Sequence, residues 1–126
     1  MPLFRDLLWV DCVAGGAVGL AMLAGAPGLA PLYGLPPGLY ATIALANVGY
    51  GLFSFSIARR AVRPMPLLRA LVVANAAWAL LCAVAVAGLW GAAGPLGLAH
   101  VAGEGVFVGG LAIAEWRSRE ALRTAR

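Results

Sequence analysis

Four long apolar stretches, separated by short segments rich in glycine, proline or arginine, organise this sequence. A helix that crosses a bilayer needs about 20 mostly apolar residues. Stretches of that kind run from Leu7 to Leu23, Leu39 to Ala58, Leu67 to Leu89 and Leu96 to Trp116. None alternates with a period of two. Hydrocarbon admits only helices or closed barrels, because every backbone N–H and C=O must be paired internally, so these stretches are expected to be helices. Gly25, Pro27 and Gly28 end the first. Pro36 and Pro37 open the second, Pro64 and Pro66 the third and Pro95 the fourth, since the missing proline N–H would have been unpaired at a helix start anyway. The expected fold is all-α, an integral membrane four-helix bundle forming a single domain over residues 1–126, with 117–126 as a basic surface tail.

Composition sharpens the class. Hydrophobic residues make up 63% and charged residues 11%, with a mean hydropathy of +0.91. A soluble fold of this length could not hide that much apolar surface. All nine basic residues are arginines, and they fall in three places: Arg5; then Arg59, Arg60, Arg63 and Arg69; then Arg117, Arg119, Arg123 and Arg126. The opposite connections, Gly25 to Gly38 and Trp90 to Pro95, carry no charge. Cytoplasmic loops collect arginine because positive charge resists translocation, so both termini and the Arg59–Arg69 loop are expected in the cytoplasm. The expected location is a bacterial inner membrane. Orientation accounts for the arginines, and no nucleic-acid partner is expected; attraction to anionic lipid follows from the same charges. Asp11 within the first stretch argues for a retained span over a cleaved signal peptide. The uncharged Gly25–Gly38 connection is expected in the headgroup region, with Tyr33, Tyr40, Trp90 and Trp116 as interfacial rings.

Polar groups inside the spans bound the chemistry. Asp11 lies near the arginine end of the first span and Glu104 near the middle of the fourth. A charged group at depth costs at least about 2.5 kcal/mol on insertion scales, so both should face the bundle interior or a wet cavity. Glu104 is either a proton, cation or ligand anchor or a buried hydrogen bond that fixes helix register; Asp11 has the further option of reaching Arg5 or cytoplasmic water. His100, Glu104 and Glu115 share one stripe of the fourth helix, which offers a proton path. The plainer account pairs Glu115 with Arg119 one turn on. Asn47, Asn75 and Trp78 supply donors at depths that match Glu104 and Asp11. Asp11 and Asn75 in the odd spans, with Asn47 and Glu104 in the even ones, also suggest two parallel repeats, although glycine-rich helices resemble one another readily. One histidine is too few for a haem or metal centre, and the chain lacks a nucleophile elbow or a phosphate loop, so neither cofactor nor metal nor enzymatic activity is expected. Cys12 and Cys82, at depths of roughly 10 and 20 Å, should not bridge.

Small residues recur at helical spacing. Gly15 and Gly19 follow Asp11 at intervals of four, and Gly105 and Gly109 repeat the spacing in the fourth span. Such patterns let helices approach closely, within one subunit or between copies. Asp11 with Gly15 and Gly19, Gly34-Leu35-Pro36, Asn75-x-x-Trp78, and Gly97 with Glu115 together resemble a group of short bacterial four-span integral membrane proteins that have no assigned activity. The resemblance implies the four-span fold and no particular chemistry, and it does not extend to His100 or Glu104. Small multidrug transporters share four spans and an acid in the first helix, but the residues around that acid differ here. The expected function is non-enzymatic: binding of a hydrophobic or small polar ligand, or of a membrane partner or second copy, through a glycine-lined bundle. The alternative is a proton-coupled carrier or an ion-conducting oligomer that uses Glu104 and Asp11.

Overall fold

A computed structural model describes residues 6–124. Arg5 and Arg126, two of the topological arginines, lie outside the described residues. Four long helices, α1 (Leu7–Ala24), α3 (Pro37–Ala58), α4 (Met65–Leu89) and α5 (Pro95–Arg117), are each long and apolar enough to cross a membrane. Two short helices, α2 (Ala26–Tyr33) and α6 (Arg119–Leu122), complete the chain, and no named strand occurs among the described residues.

Local chemistry sets the ends. Asp6 caps α1 by accepting the Leu8 N–H at 3.2 Å, which satisfies one of the orphan donors of a helix start. Pro37, Pro66 and Pro95 lie inside the first turns of α3, α4 and α5, so these helices begin one or two residues before the expected points. The connection after α1 coils into α2 and stops at Gly34, whose φ of 61° is left-handed. There the backbone packs so closely that a Cβ on Gly34 would meet the Gly94 nitrogen at 2.7 Å. Gly94 donates to the Tyr33 carbonyl at 3.0 Å and laces the two uncharged connections together.

Helix packing is concentrated within two hairpins, α1 with α3 and α4 with α5. A Cβ on Gly15 would meet the Asn47 carbonyl at 2.8 Å, one on Gly19 the Ala44 carbonyl at 2.7 Å, and one on Gly51 the Gly16 nitrogen at 2.8 Å. In the second hairpin Gly105 packs on the Cys82 Cβ and Gly109 lies beside Ala79. The glycine grooves therefore serve close packing within this chain, and Gly15 also borders an interior cavity.

Contact between the hairpins is sparse along the helices. Apolar clusters close the two ends: Met22, Tyr33, Leu35, Tyr40, Ile43 and Val101 at the uncharged end, and Leu8, Ile57, Leu68, Leu71 and Leu122 at the arginine end. The layer between them is polar. The surface segment after α5 is helical in part and anchored to the rest of the protein. Leu122 is buried, Arg63 donates its backbone N–H to the Arg123 carbonyl at 2.7 Å, and Val62 and Thr124 form an antiparallel bridge.

Candidate functional site

The polar layer holds a cavity of about 380 Å³, walled by Val18, Phe107 and Val108 and reached by Asp11, Asn47, Tyr50, Trp78, His100 and Glu104. The polar groups form one cluster on each side of it.

Glu104 centres the cluster towards the uncharged end. Its Oε1 accepts from Asn47 Nδ2 at 2.8 Å and its Oε2 accepts from Trp78 Nε1. Asn47 is held by α3 itself through a 2.9 Å bond from the same nitrogen to the Ile43 carbonyl. His100 Nε2 lies 3.1 Å from Glu104 Oε1, one helical turn away, and His100 Nδ1 is 2.8 Å from the Tyr33 hydroxyl. This arrangement matches an imidazole with its hydrogen on Nε2, donating to Glu104 and accepting from Tyr33. Burial, with Tyr40 and Glu104 nearby, pushes the Tyr33 phenol up and keeps it a donor at neutral pH. Three helices thus meet at one carboxyl, and α2 reaches it through His100.

Tyr33 and Tyr40, expected as interfacial rings, turn into the protein at the uncharged end. Both are buried, and Tyr40 donates to the Met22 carbonyl at 2.7 Å. A phenol whose oxygen finds a partner inside the protein has no need of the headgroup layer. Trp90 and Trp116 remain exposed.

Asp11, Asn75 and Glu115 form the second cluster. Asn75 Nδ2 donates to Asp11 Oδ2 at 2.7 Å and to Glu115 Oε1 at 2.9 Å. Ser54 is fully buried beside Asp11. One expectation holds here and one fails. Asp11 faces the interior, turned to Asn75 with 3% of its surface exposed, and does not take the option of cytoplasmic water. Glu115 does not pair with Arg119: it is 2% exposed, whereas Arg119 stacks on the Trp116 ring at 4.0 Å and bonds the Trp116 carbonyl. The stripe of His100, Glu104 and Glu115 is accordingly split, its first two members on Glu104 and its third on Asp11. The reason lies in helix geometry. Cα–Cβ bonds tilt towards the helix N-terminus, so Glu115 on α5 leans inward from the arginine end while Asp11 on the oppositely running α1 leans towards it.

Sequence reasoning also missed Arg63 and Asp6. Arg63 is 1% exposed; its guanidinium bonds Asp6 at 2.7 and 3.2 Å, the Ala58 carbonyl at 2.7 Å and the Leu122 carbonyl at 3.2 Å. In a cluster of arginines explained by topology, nothing but Pro64 beside it sets Arg63 apart. Tyr50, which donates to the Ala74 carbonyl at 2.7 Å, joins the hairpins, and nothing in its spacing along the chain sets it apart. Cys12 and Cys82 are both free thiols.

The fold and this interior define a small multi-pass membrane protein with a polar layer between two close-packed hairpins. Comparison with known protein families, with characterised proteins and with solved structures gives no match for the chain.

Proposed function

We propose that this protein is a non-enzymatic membrane protein, of the group of short bacterial four-span proteins it resembles, which binds a small amphiphilic ligand between its hairpins. The cavity carries the reading. Its volume of about 380 Å³ suits a molecule of modest size, and Tyr50, Trp78 and Phe107 place aromatic surface beside the Glu104 and Asp11 carboxyls. Aromatic faces and carboxyls together favour a ligand with an apolar body and one cationic or donor-rich group. The same surfaces that face lipid serve for association with a second copy or a larger membrane complex. The bacterial inner membrane, with the arginine end in the cytoplasm, is the setting that fits the charge pattern.

The proton-coupled carrier reading has one observation in its favour. Hydrogen-bonded chains of titratable groups stand on both sides of the cavity, Tyr33–His100–Glu104 on one and Asn75 with its two acids on the other.

Benzyltrimethylammonium and benzyl alcohol, titrated calorimetrically into purified protein, test the binding reading. The cation is expected to bind wild type at least about tenfold more tightly than Glu104→Gln, the loss of roughly 1.4 kcal/mol that one favourable polar contact provides. Absence of binding by either probe, or equal binding to the two proteins, overturns it. In proteoliposomes, movement of protons with the cation that Glu104→Gln abolishes would favour the carrier.

A further inference from the structure

The Asp11 cluster carries a feature that ligand binding in the cavity does not use. Three of its buried oxygens have no hydrogen-bond partner: Ser54 Oγ, Asn75 Oδ1 and Glu115 Oε2. Ser54 and Asn75 are fully buried and Glu115 nearly so. Orphaned polar atoms are costly in a protein and more so in a bilayer, where water does not rescue them. Ser54 lies beside Asp11, Glu115 Oε2 belongs to the second carboxyl, and neither carboxyl has an arginine beside it among the described residues, Arg63 being engaged by Asp6.

We propose that Asp11, Ser54, Asn75 and Glu115 form a binding site for a desolvated monovalent cation of the size of sodium. The donor set is entirely oxygen: two carboxyls, an amide carbonyl and a hydroxyl. Hard oxygen donors suit a hard, redox-inert cation and give transition metals no thiolate or imidazole to grip. Donor number supports a monovalent ion as well, since one oxygen from each of the four residues falls short of the roughly six to eight that calcium takes.

Asn75 supplies the means of exchange. Its NH2 now bridges Asp11 and Glu115, and half a turn about the last side-chain torsion replaces those donors with Oδ1, completing the cation's shell. The carboxyls are therefore met by the Asn75 NH2 without the ion and by the ion itself when it is bound. Asp11 belongs to both the cluster and the cavity wall, so the cavity provides the route by which the ion arrives. The site stands whether or not the cavity takes an organic ligand.

Thermal unfolding of the full-length protein in detergent, at fixed pH and ionic strength, separates the outcomes. Sodium chloride is expected to raise the midpoint in a saturable way, while choline chloride does not, since an ion that binds only the folded state stabilises it by mass action. Potassium should require at least about tenfold higher concentration for the same shift, a difference of roughly 1.4 kcal/mol in affinity. Ser54→Ala should weaken the sodium response about tenfold while the choline midpoint stays near that of wild type, and Glu115→Gln should abolish the response. If Glu115→Gln does not fold, Ser54→Ala decides alone. Equal midpoints in the three salts, a sodium effect untouched by Ser54→Ala, or a midpoint that follows pH and ignores sodium would each overturn the proposal; the last would make the cluster a proton site only. Loss of benzyltrimethylammonium binding leaves the sodium response as the separate readout.

Discussion

Arg63 shows how much one side chain can differ from its neighbours in a charge cluster. Its guanidinium is buried, meets Asp6 with two nitrogens, and closes carbonyls at the end of α3 and in α6. A planar fork is suited to such a site, and a lysine ammonium cannot reproduce its geometry. Breaking a buried pair by removing one partner leaves the other charge stranded, at a cost of about 3 to 5 kcal/mol. Arg63→Met should therefore lower stability in detergent by that amount. Arg63→Met combined with Asp6→Leu should recover much of the loss, less whatever the α1 cap contributed, about 1 kcal/mol. A chemical-denaturation cycle over the four proteins checks this; additive losses would mean the two residues do not act together. The pairing was not legible in the sequence, because depth along a helix can be counted at about 1.5 Å per residue but rotation about the helix axis relative to a neighbour cannot. The same limit hid Glu115. Its position two residues before the end of α5 reads as interfacial, and only the inward tilt of its Cβ and the place of α1 reveal that it faces Asp11.

At the scale of helices the sequence was far more transparent. Apolar length identified four spans, and proline marked the starts of the last three to within a residue or two, since a first-turn proline costs no hydrogen bond. Glycine spacing was informative as well: it specified close packing inside each hairpin, with Gly15 also bordering the cavity. Gly15 and Gly51 make the point: a methyl on either would press into backbone atoms of the facing helix at about the same distance, 2.8 Å, and backbone cannot step aside as a flexible side chain can. Gly15→Leu or Gly51→Val should thus force α1 and α3 apart and destabilise the protein by about 1 to 3 kcal/mol, the usual cost of overpacking. Gly49→Val serves as the control, because a Cβ there meets nothing within 4 Å. Similar melting midpoints for all three variants would remove the case for a close α1–α3 contact.

The molecule as a whole is two apolar hairpins joined by a polar seam, and its charges divide the same way. Asn47 with Glu104, Asn75 with Asp11, and Tyr50 with the Ala74 carbonyl are bonds from one hairpin to the other, while Asn75 with Glu115 ties α4 to α5 within the second. Apolar pattern alone could not reveal that seam, since it records which residues avoid water and says nothing of which polar groups meet. Among the arginines, Arg59, Arg60 and Arg69 are exposed and Arg63 is buried against a carboxylate. Orientation is set by positive charge in short loops near span ends, whereas a guanidinium neutralised inside the folded end is held for its bonds. The two kinds of arginine should separate experimentally. Fusions of a reporter after Arg126 should report cytoplasm, and one inserted near Pro31 the opposite side. Arg63→Gln should leave that assignment unchanged while lowering the amount of folded protein, and Arg59→Gln with Arg60→Gln and Arg69→Gln should yield a mixed population with little loss of stability. If Arg63→Gln scrambles orientation as strongly as the triple variant, all four charges act alike during insertion and the buried ion pair is only their later resting place.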